Sequence, residues 1–348
     1  MRILNIMLAQ VRGGVETMAL RYHEAMTQSG FEVLSLGHGG GTLGDLPAGQ
    51  FRAVGALINH DPLAAMGVRA AARDFRPDLV LTHGNRATGI ALLPFLGTAD
   101  KTVQVVHNFR HKNQITRVTA AICVSASVRD NVKSARPGLP VYELANFGPL
   151  TERPVKVAPE GIPVLGTLGR LHVNKGLDIA IRAVALLKDQ GVRITLRIAG
   201  DGPEQQALAR LAGELGVQDA VAFAGWVEET ADYLNSLDLF LLPSRVEPFG
   251  LVVTEAMAAG APVIASAIDG PKEILLDGVL GTLSPSEDPQ ALAEAVKSVL
   301  GDWPGTLNKA RAAKAYALTH FSLEAGAARL KATLEQIAQN HLQHRLRA

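Results

Sequence analysis

Short apolar runs alternate along this chain with longer stretches in which apolar positions recur every three or four residues. That pattern predicts strands buried on both faces, with helices covering a parallel sheet. In the first half the apolar runs fall at residues 2–9, 32–36, 79–82, 103–106 and 120–124. Helices are predicted between them, over 16–29, 62–75, 87–95 and 126–135. Ser29-Gly30 closes the first of these in the usual way, because glycine readily takes the left-handed conformation after a helix. Residues 37–49 are glycine-rich and poor in apolar side chains, and read as a loop.

The alternation restarts in the second half. Strands are predicted over 163–168, 195–199, 220–223, 239–242 and 262–265, and helices over 177–188, 204–215, 230–236 and 251–259. A last helix is predicted over 322–346. Between the halves, residues 146–163 carry Pro149, Pro154, Pro159 and Pro163 among polar Thr151, Glu152 and Arg153, the composition of a linker. The expected architecture is α/β, with an N-terminal domain over 1–150 and a second over 155–321. Two such domains facing each other would place a cleft at the carboxyl ends of both sets of strands.

Composition narrows the function. The chain has 348 residues, enough for about two domains. Hydrophobic residues at 47% and charged residues at 19% supply material for a sizeable core. A net charge of +1 lacks the basic excess of a dedicated nucleic-acid binder. The single cysteine, Cys123, excludes an internal disulfide and a cysteine-rich zinc site. A chain of this size without disulfides fits a reducing compartment, so a cytoplasmic location is expected. No run approaches the ~18 apolar residues of a membrane span. Residues 1–9 resemble a short signal sequence, but Gly13-Gly14 follows where a small-residue cleavage site would stand, and the segment reads as a first strand entering a glycine loop.

The most informative segment runs from Ser244-Arg245-Val246-Glu247-Pro248-Phe249-Gly250 into Leu251 and on to Glu255-Ala256-Met257-Ala258-Ala259-Gly260. A strand feeds a loop, and the loop opens a helix. Free N–H groups and the dipole at a helix start favour an anionic group. Gly250 allows close approach of the backbone. Glu247 in the loop and Glu255 in the helix can address one ligand from different heights, and a carboxylate accepts readily from paired sugar hydroxyls. The bland reading makes Glu255 a helix-face charge and Glu247 a capping acid. Arg170 and Lys175, five residues apart between a strand and a helix, can neutralise a diphosphate that gains charge as it leaves. Alone they would read as a solvated basic turn. His107 and His83 each stand at a strand's carboxyl end, where ligands collect in such sheets, although a lone histidine is more often structural. His38, His60, His341 and His344 show no ligand pattern.

This segment resembles the signature of the retaining, sugar-nucleotide-dependent glycosyltransferases of family four, the group 1 or glycogen-synthase-like transferases. Further segments agree in order: Gly13-Gly14-Val15-Glu16, Gly169-Arg170-Leu171 with Lys175-Gly176, Ala199-Gly200-Asp201-Gly202-Pro203, and Phe223-Ala224-Gly225-Trp226-Val227. The likeness is dense over 164–275 and sparser before. It implies the GT-B architecture, two facing Rossmann-like domains with an interdomain cleft, the terminal helix 322–348 packing back on the first domain. It implies a UDP-sugar or GDP-sugar donor, a glycan or lipid-linked acceptor and no cofactor; no His-x-Glu or Asp-x-Asp arrangement marks a metal site, and with Arg170 and Lys175 to neutralise the diphosphate no essential metal is expected. By the family's pattern Arg170 and Lys175 contact the diphosphate, Glu255 holds the ribose, and Glu247 meets the transferred sugar beside the amides of Phe249, Gly250 and Leu251. Gly200, Trp226 and Val227 belong to the nucleotide side, Gly13 and Gly14 line the pyrophosphate, and His107 faces the donor sugar. His83 is placed on the acceptor side. The family's Asn-Gly-(Val/Ile)-Asp sequence is replaced by Ala145-Asn146-Phe147-Gly148-Pro149.

Many such enzymes build lipopolysaccharide cores, exopolysaccharides or glycolipids. The basic clusters Arg110, His111, Lys112, Arg117 and Arg129, Lys133, Arg136 are then either a solvated face or a site of attraction to the anionic inner membrane surface or a phosphorylated lipid acceptor. Two rival functions share the architecture or the binding residues: a sugar-nucleotide 2-epimerase, and a non-catalytic nucleotide-sugar-binding scaffold. A nicotinamide enzyme is the weakest rival, since no Gly-x-Gly-x-x-Gly follows the first strand.

Overall fold

The structure is a computed structural model describing residues 1–9, 13–55, 61–110, 115 and 117–347, with side chains to 343. The chain divides into two compact units, Met1–Gly148 with Ser322–Ala348, and Pro149–Phe321.

In the first unit the described residues form a seven-stranded parallel sheet. Its strands are β1 (Arg2–Met7), β2 (Glu32–Gly37), β3 (Phe51–Ala53), β4 (Leu79–His83), β5 (Thr102–Val106), β6 (Ala120–Cys123) and β7 (Val141–Glu143), in the spatial order β3-β2-β1-β4-β5-β6-β7. Helices α1 (Gly14–Gln28), α2 (Pro62–Phe75), α3 (Gly84–Ala91) and α4 (Ala126–Ala135) connect them. The central strands are apolar runs because both faces are covered: Ile3, Leu4, Val80, Leu81, Val103 and Ile122 are buried. Asp61 caps α2 by accepting from Leu63 and Ala64, and Ser125 caps α4 through Val128. The edge strands β3 and β7 had no counterpart among the apolar runs. Each has three residues with exposed positions, so neither presents a continuous apolar signal.

The predicted helix over 87–95 is displaced. It begins at Gly84 and ends at Ala91, and a separate 3-10 turn covers Pro94–Leu96, because Pro94 cannot continue the helix. The glycine-rich loop of 37–49 holds a 3-10 turn at Thr42–Asp45.

In the second unit the described residues form a six-stranded parallel sheet. Its strands are β8 (Val164–Leu168), β9 (Thr195–Ala199), β10 (Val221–Gly225), β11 (Leu239–Leu242), β12 (Val263–Ser266) and β13 (Thr282–Ser284), ordered β10-β9-β8-β11-β12-β13. Helices α5 (Leu177–Asp189), α6 (Gln205–Glu214), α7 (Thr230–Ser236), α8 (Leu251–Ala258), α9 (Asp269–Ile274), α10 (Pro289–Gly301) and α11 (Trp303–His320) accompany it. A core of Leu165, Ile181, Leu196, Leu239, Ile264 and Val296 joins sheet and helices. The long helix α12 (Leu323–Arg347) returns to the first unit and packs along α1. Gly326 lets α12 lie directly on Phe147: a Cβ there would stand 2.0 Å from its ring. Among the described residues no helix is long and apolar enough to cross a membrane.

Candidate active site

In the second unit the strand order reverses between β8 and its neighbours β9 and β11, a switch point where a crevice opens at the carboxyl ends of the strands. The turn after β8 carries Gly169, Arg170 and the 3-10 segment Val173–Lys175; the loop after β11 carries Glu247 and leads into α8. Backbone bonds tie the two: the N–H of Arg245 donates to the carbonyl of Asn174 at 2.8 Å. Lys175 Nζ reaches Glu247 Oε2 at 2.5 Å, and the Ser244 hydroxyl donates to the same oxygen at 3.4 Å. Glu247 is nearly buried, so its charge has this ammonium as its balance.

Arg170 stands apart. Its side chain is exposed and, among the described residues, has no partner, while Lys175 is already committed to Glu247. Only one of the two cations is therefore free, and an arriving anion would share Lys175 with Glu247.

Three glycines shape this floor. Gly176 (φ 61°) lies against the carbonyl of Pro243, and Gly200 (φ 120°) against that of Gly169; a Cβ at either would stand 1.9 Å from the oxygen. Gly250 (φ 107°) caps α8 in the left-handed region. The start of α9 closes the loop from behind: Gly270 donates to the Glu247 carbonyl at 3.2 Å and packs on the backbone of Phe249. Phe249 is buried and meets Phe321 edge-on at 5.8 Å. Its side chain is thus core, and any ligand contact from it comes through the backbone. Leu251 and Glu255 lie on the first turns of α8, half-buried. Trp226 is 76% exposed beside half-buried Val227, just past β10.

Sequence reasoning gave no role to Arg245, although it stands inside the motif. Its guanidinium holds Asp178 through two bonds of 2.8 Å, bonds Glu287 at 2.9 Å and donates to the Val173 carbonyl at 2.9 Å. This fork fastens the Glu247 loop to the Lys175 turn and to the first turn of α5. It also holds the Asp178 carboxyl below its ordinary range. The signal available in the sequence was a motif arginine together with an acid, Asp178, at the start of the helix that follows the Lys175 turn.

In the first unit the corresponding edge carries Gly13 and Gly14, which are exposed and open α1. A Cβ at either would meet nothing within 4 Å, so packing does not demand glycine there. His107 follows β5 and is half-buried; burial pushes its imidazole down to about 4. His83, assigned by sequence to the acceptor side, is 1% exposed and sits behind His107, with Nδ1 2.9 Å from His107 Nε2. Its burial excludes direct contact with an acceptor in this conformation. The helix-borne basic cluster is partly spent inside the fold: Arg129 pairs with Asp130 and Glu143, and Arg136 donates to the carbonyls of Ile115 and Val118. His111 and Lys112 lie outside the described residues, as does His60. Among the described residues no group of three or more histidine, cysteine or acidic side chains is arranged to hold a metal ion.

Two parallel-sheet Rossmann-like units, the second carrying a carboxylate loop beside a lysine turn, define the GT-B glycosyltransferase class. The sequence matches the family Glycosyl transferases group 1 over residues 150–319 and Glycosyltransferase Family 4 over 12–140. The chain belongs to this family and is a glycosyltransferase. Among relatives, the lipopolysaccharide core biosynthesis glycosyltransferase LpsE of Rhizobium meliloti is 29% identical over 246 residues, covering 69% of this chain and 70% of that protein. A glycogen synthase of Mycobacterium tuberculosis is 32% identical over 270 residues, covering 70% of this chain and 64% of that protein. Among solved structures, Anabaena HepE in complex with UDP superposes with a TM-score of 0.79 at 22% identity, over 97% of this chain and all of that one.

Proposed function

We propose that this glycosyltransferase takes its sugar from a nucleoside-diphosphate sugar, a UDP-sugar or GDP-sugar, and transfers it with retention to a glycan or lipid-linked acceptor. The observation that carries the reading is the meeting of Lys175 with Glu247 at the carboxyl edge of the second sheet, beside the exposed Arg170. Arg170 and Lys175 bind the diphosphate, with the first amides of α8 adding partial positive charge. Gly13 and Gly14 give the backbone open access at the first sheet's edge, Gly200 keeps the donor floor low, and Trp226 and Val227 stand beside the base. Glu255 accepts from the ribose hydroxyls, and Glu247 from the sugar, next to the amides of Phe249, Gly250 and Leu251. His107 accepts from a hydroxyl of the ligand.

In the reaction the acceptor oxygen bonds to the anomeric carbon on the face from which the diphosphate departs. The bond from that carbon to the diphosphate oxygen breaks, and the acceptor's proton passes to the leaving diphosphate. Arg170 and Lys175 stabilise the charge that develops on that group, which is the task a divalent ion would otherwise perform. No metal or cofactor enters this scheme. Glu247 is tied to Lys175 and Ser244 and is not assigned as a nucleophile.

The resemblance to LpsE, named for lipopolysaccharide core synthesis, favours a lipopolysaccharide, exopolysaccharide or glycolipid acceptor; HepE, solved with UDP, favours a uridine donor. Work on such acceptors fits a cytoplasmic enzyme held at the inner face of the membrane. The test is thermal unfolding against UDP, GDP, ADP, TDP and their sugar conjugates. A ligand at 100 times its Kd adds about 2.7 kcal/mol, a shift of several degrees for a domain of this size. A shift with one base family supports the donor site and selects the conjugate for acceptor screening and for reading the product's anomeric configuration by NMR. No shift with any nucleotide overturns the donor assignment. Transfer without net epimerisation of the donor separates this reading from a 2-epimerase.

A further inference from the structure

Behind His107 a line of buried polar groups crosses the first unit, and its hydrogen bonds run in one direction. The direction is set at the carbonyl of Ala19, which can only accept. Asn5 Nδ2 lies 3.0 Å from it and must be the donor, so Asn5 Oδ1 faces His83 Nε2 at 3.0 Å. An amide oxygen only accepts, so the buried, neutral ring of His83 carries its one proton on Nε2 and leaves Nδ1 bare. His107 Nε2, 2.9 Å from that bare nitrogen, must donate. The line continues the other way: Asn5 Nδ2 also donates to Ser35 Oγ at 3.0 Å, Ser35 lies 2.9 Å from His23 Nδ1, and His23 Nε2 lies 3.0 Å from Gln50 Oε1. Each link accepts from the group before it and donates to the group after it.

We propose that His83 and Asn5 are positioning residues that fix the tautomer of His107, so that its Nδ1 faces the ligand as a bare hydrogen-bond acceptor. The inference rests on the reading of His107 as a ligand-binding group, and deepens it. Among the described residues nothing bonds to His107 Nδ1, while its other nitrogen is committed. A neutral acceptor at this place selects a hydroxyl or N–H donor, as on a sugar ring, and disfavours a phosphate oxygen, which also only accepts. The geometry is firmly held. Asn5 and Ser35 are fully buried, His83 and His23 nearly so, and the ring of Tyr22 meets His83 edge-on at 5.1 Å. Burial also disfavours the imidazolium at His83, His107 and His23, which keeps the line neutral. Aligned bonds of this kind polarise one another and strengthen the terminal acceptor.

The test is a long-range proton–nitrogen NMR spectrum of the full chain carrying nitrogen-15 in its histidines, without ligand. His107 is assigned by the signals missing in His107→Gln. The expected wild-type spectrum shows His107 protonated on Nε2 and bare on Nδ1 at pH 7. His83→Leu should give exchange-averaged signals for His107 and a loss of transfer rate of about 10-fold. His83→Asn, whose amide oxygen can stand where Nδ1 stood, should restore both the spectrum and most of the rate. A wild-type His107 carrying its proton on Nδ1, or charged, overturns the proposal, and this needs only the assigning variant His107→Gln to fold. An unchanged His107 spectrum in His83→Leu also overturns it. Full transfer by His107→Gln, with the expected spectrum, overturns instead the ligand-binding reading beneath it.

Discussion

Lys175 and Glu247 lie 72 residues apart in the chain, and their charged atoms meet at 2.5 Å. The pair joins the turn after β8 to the loop after β11, the two segments that flank the switch point of the second sheet. A buried carboxylate is costly unless paired, so the pair holds both segments in place before any ligand arrives.

Replacing Lys175 by alanine removes a cation from the proposed diphosphate site and leaves Glu247 without its ammonium. Transfer should fall roughly 10- to 100-fold, the weight of one charge-assisted hydrogen bond of about 1.5–3 kcal/mol. Nucleotide binding should weaken in parallel, read by titration calorimetry. Unchanged turnover would remove Lys175 from the site.

Arg245→Lys keeps the charge and loses the fork on Asp178. Because this fork fastens the Glu247 loop, kcat/KM should fall on the order of 10- to 100-fold, as expected for a small misplacement of catalytic groups. There is also a signature at acid pH. Arg245 depresses the Asp178 pKa below 3.8, so its stabilisation is complete above that value and is lost as pH falls through the folded-state pKa. Below pH 3.8 the melting temperature of the variant should therefore decline less steeply than that of the wild type.

If Glu255 holds the ribose as proposed, Glu255→Ala should chiefly raise the donor KM, with a smaller effect on kcat, because such a contact is made in the ground and transition states alike. Its melting temperature should stay close to the wild type, since the side chain is half-buried at a helix start. A normal KM would argue against the ribose role.

Gly200→Ala forces a side chain into φ 120° and drives a Cβ to 1.9 Å from the Gly169 carbonyl. Backbone strain and overpacking together should cost about 2–6 kcal/mol. A lower urea midpoint, with a normal slope, would register it.

The buried histidines predict a second pH dependence. His107 and His83 titrate below 6.5 in the folded chain, so the unfolded chain binds more protons as pH falls through 6.5. Their depressed values favour the folded state fully above pH 6.5, and that advantage is lost progressively as pH falls, towards about 4 for His107. Melting temperatures measured from pH 7 to pH 4 should fall, and His107→Gln should shallow that slope.

Much of the scaffold was written in local pattern. The runs at 195–199 and 239–242 are the strands found, and the helices at 62–75, 126–135 and 230–236 begin and end where predicted. These elements are legible because a sheet covered on both faces demands unbroken apolar strands, and because Asp61 and Ser125 cap their helices from adjacent positions. The edge strand Phe51–Ala53 carries no such demand, since two of its three residues are exposed. The segment from Ser244 to Gly260 likewise announced its family, because a loop that must turn on Gly250 and present Glu247 leaves little freedom of residue type.

Sequence alone thus determined the α/β architecture, the family and the motif residues, all consequences of local propensity, periodicity and fixed spacing. Only the tertiary structure decided which side chains are committed to one another. It paired Lys175 with Glu247, left Arg170 exposed, gave Arg245 to Asp178, and set His83 between Asn5 and His107. Asn5 was visible as a polar residue in an apolar strand, but its partners lie on β4 and β2 and in α1. Hydrogen-bond direction depends on where donors and acceptors meet in space, and no periodicity along the chain records it.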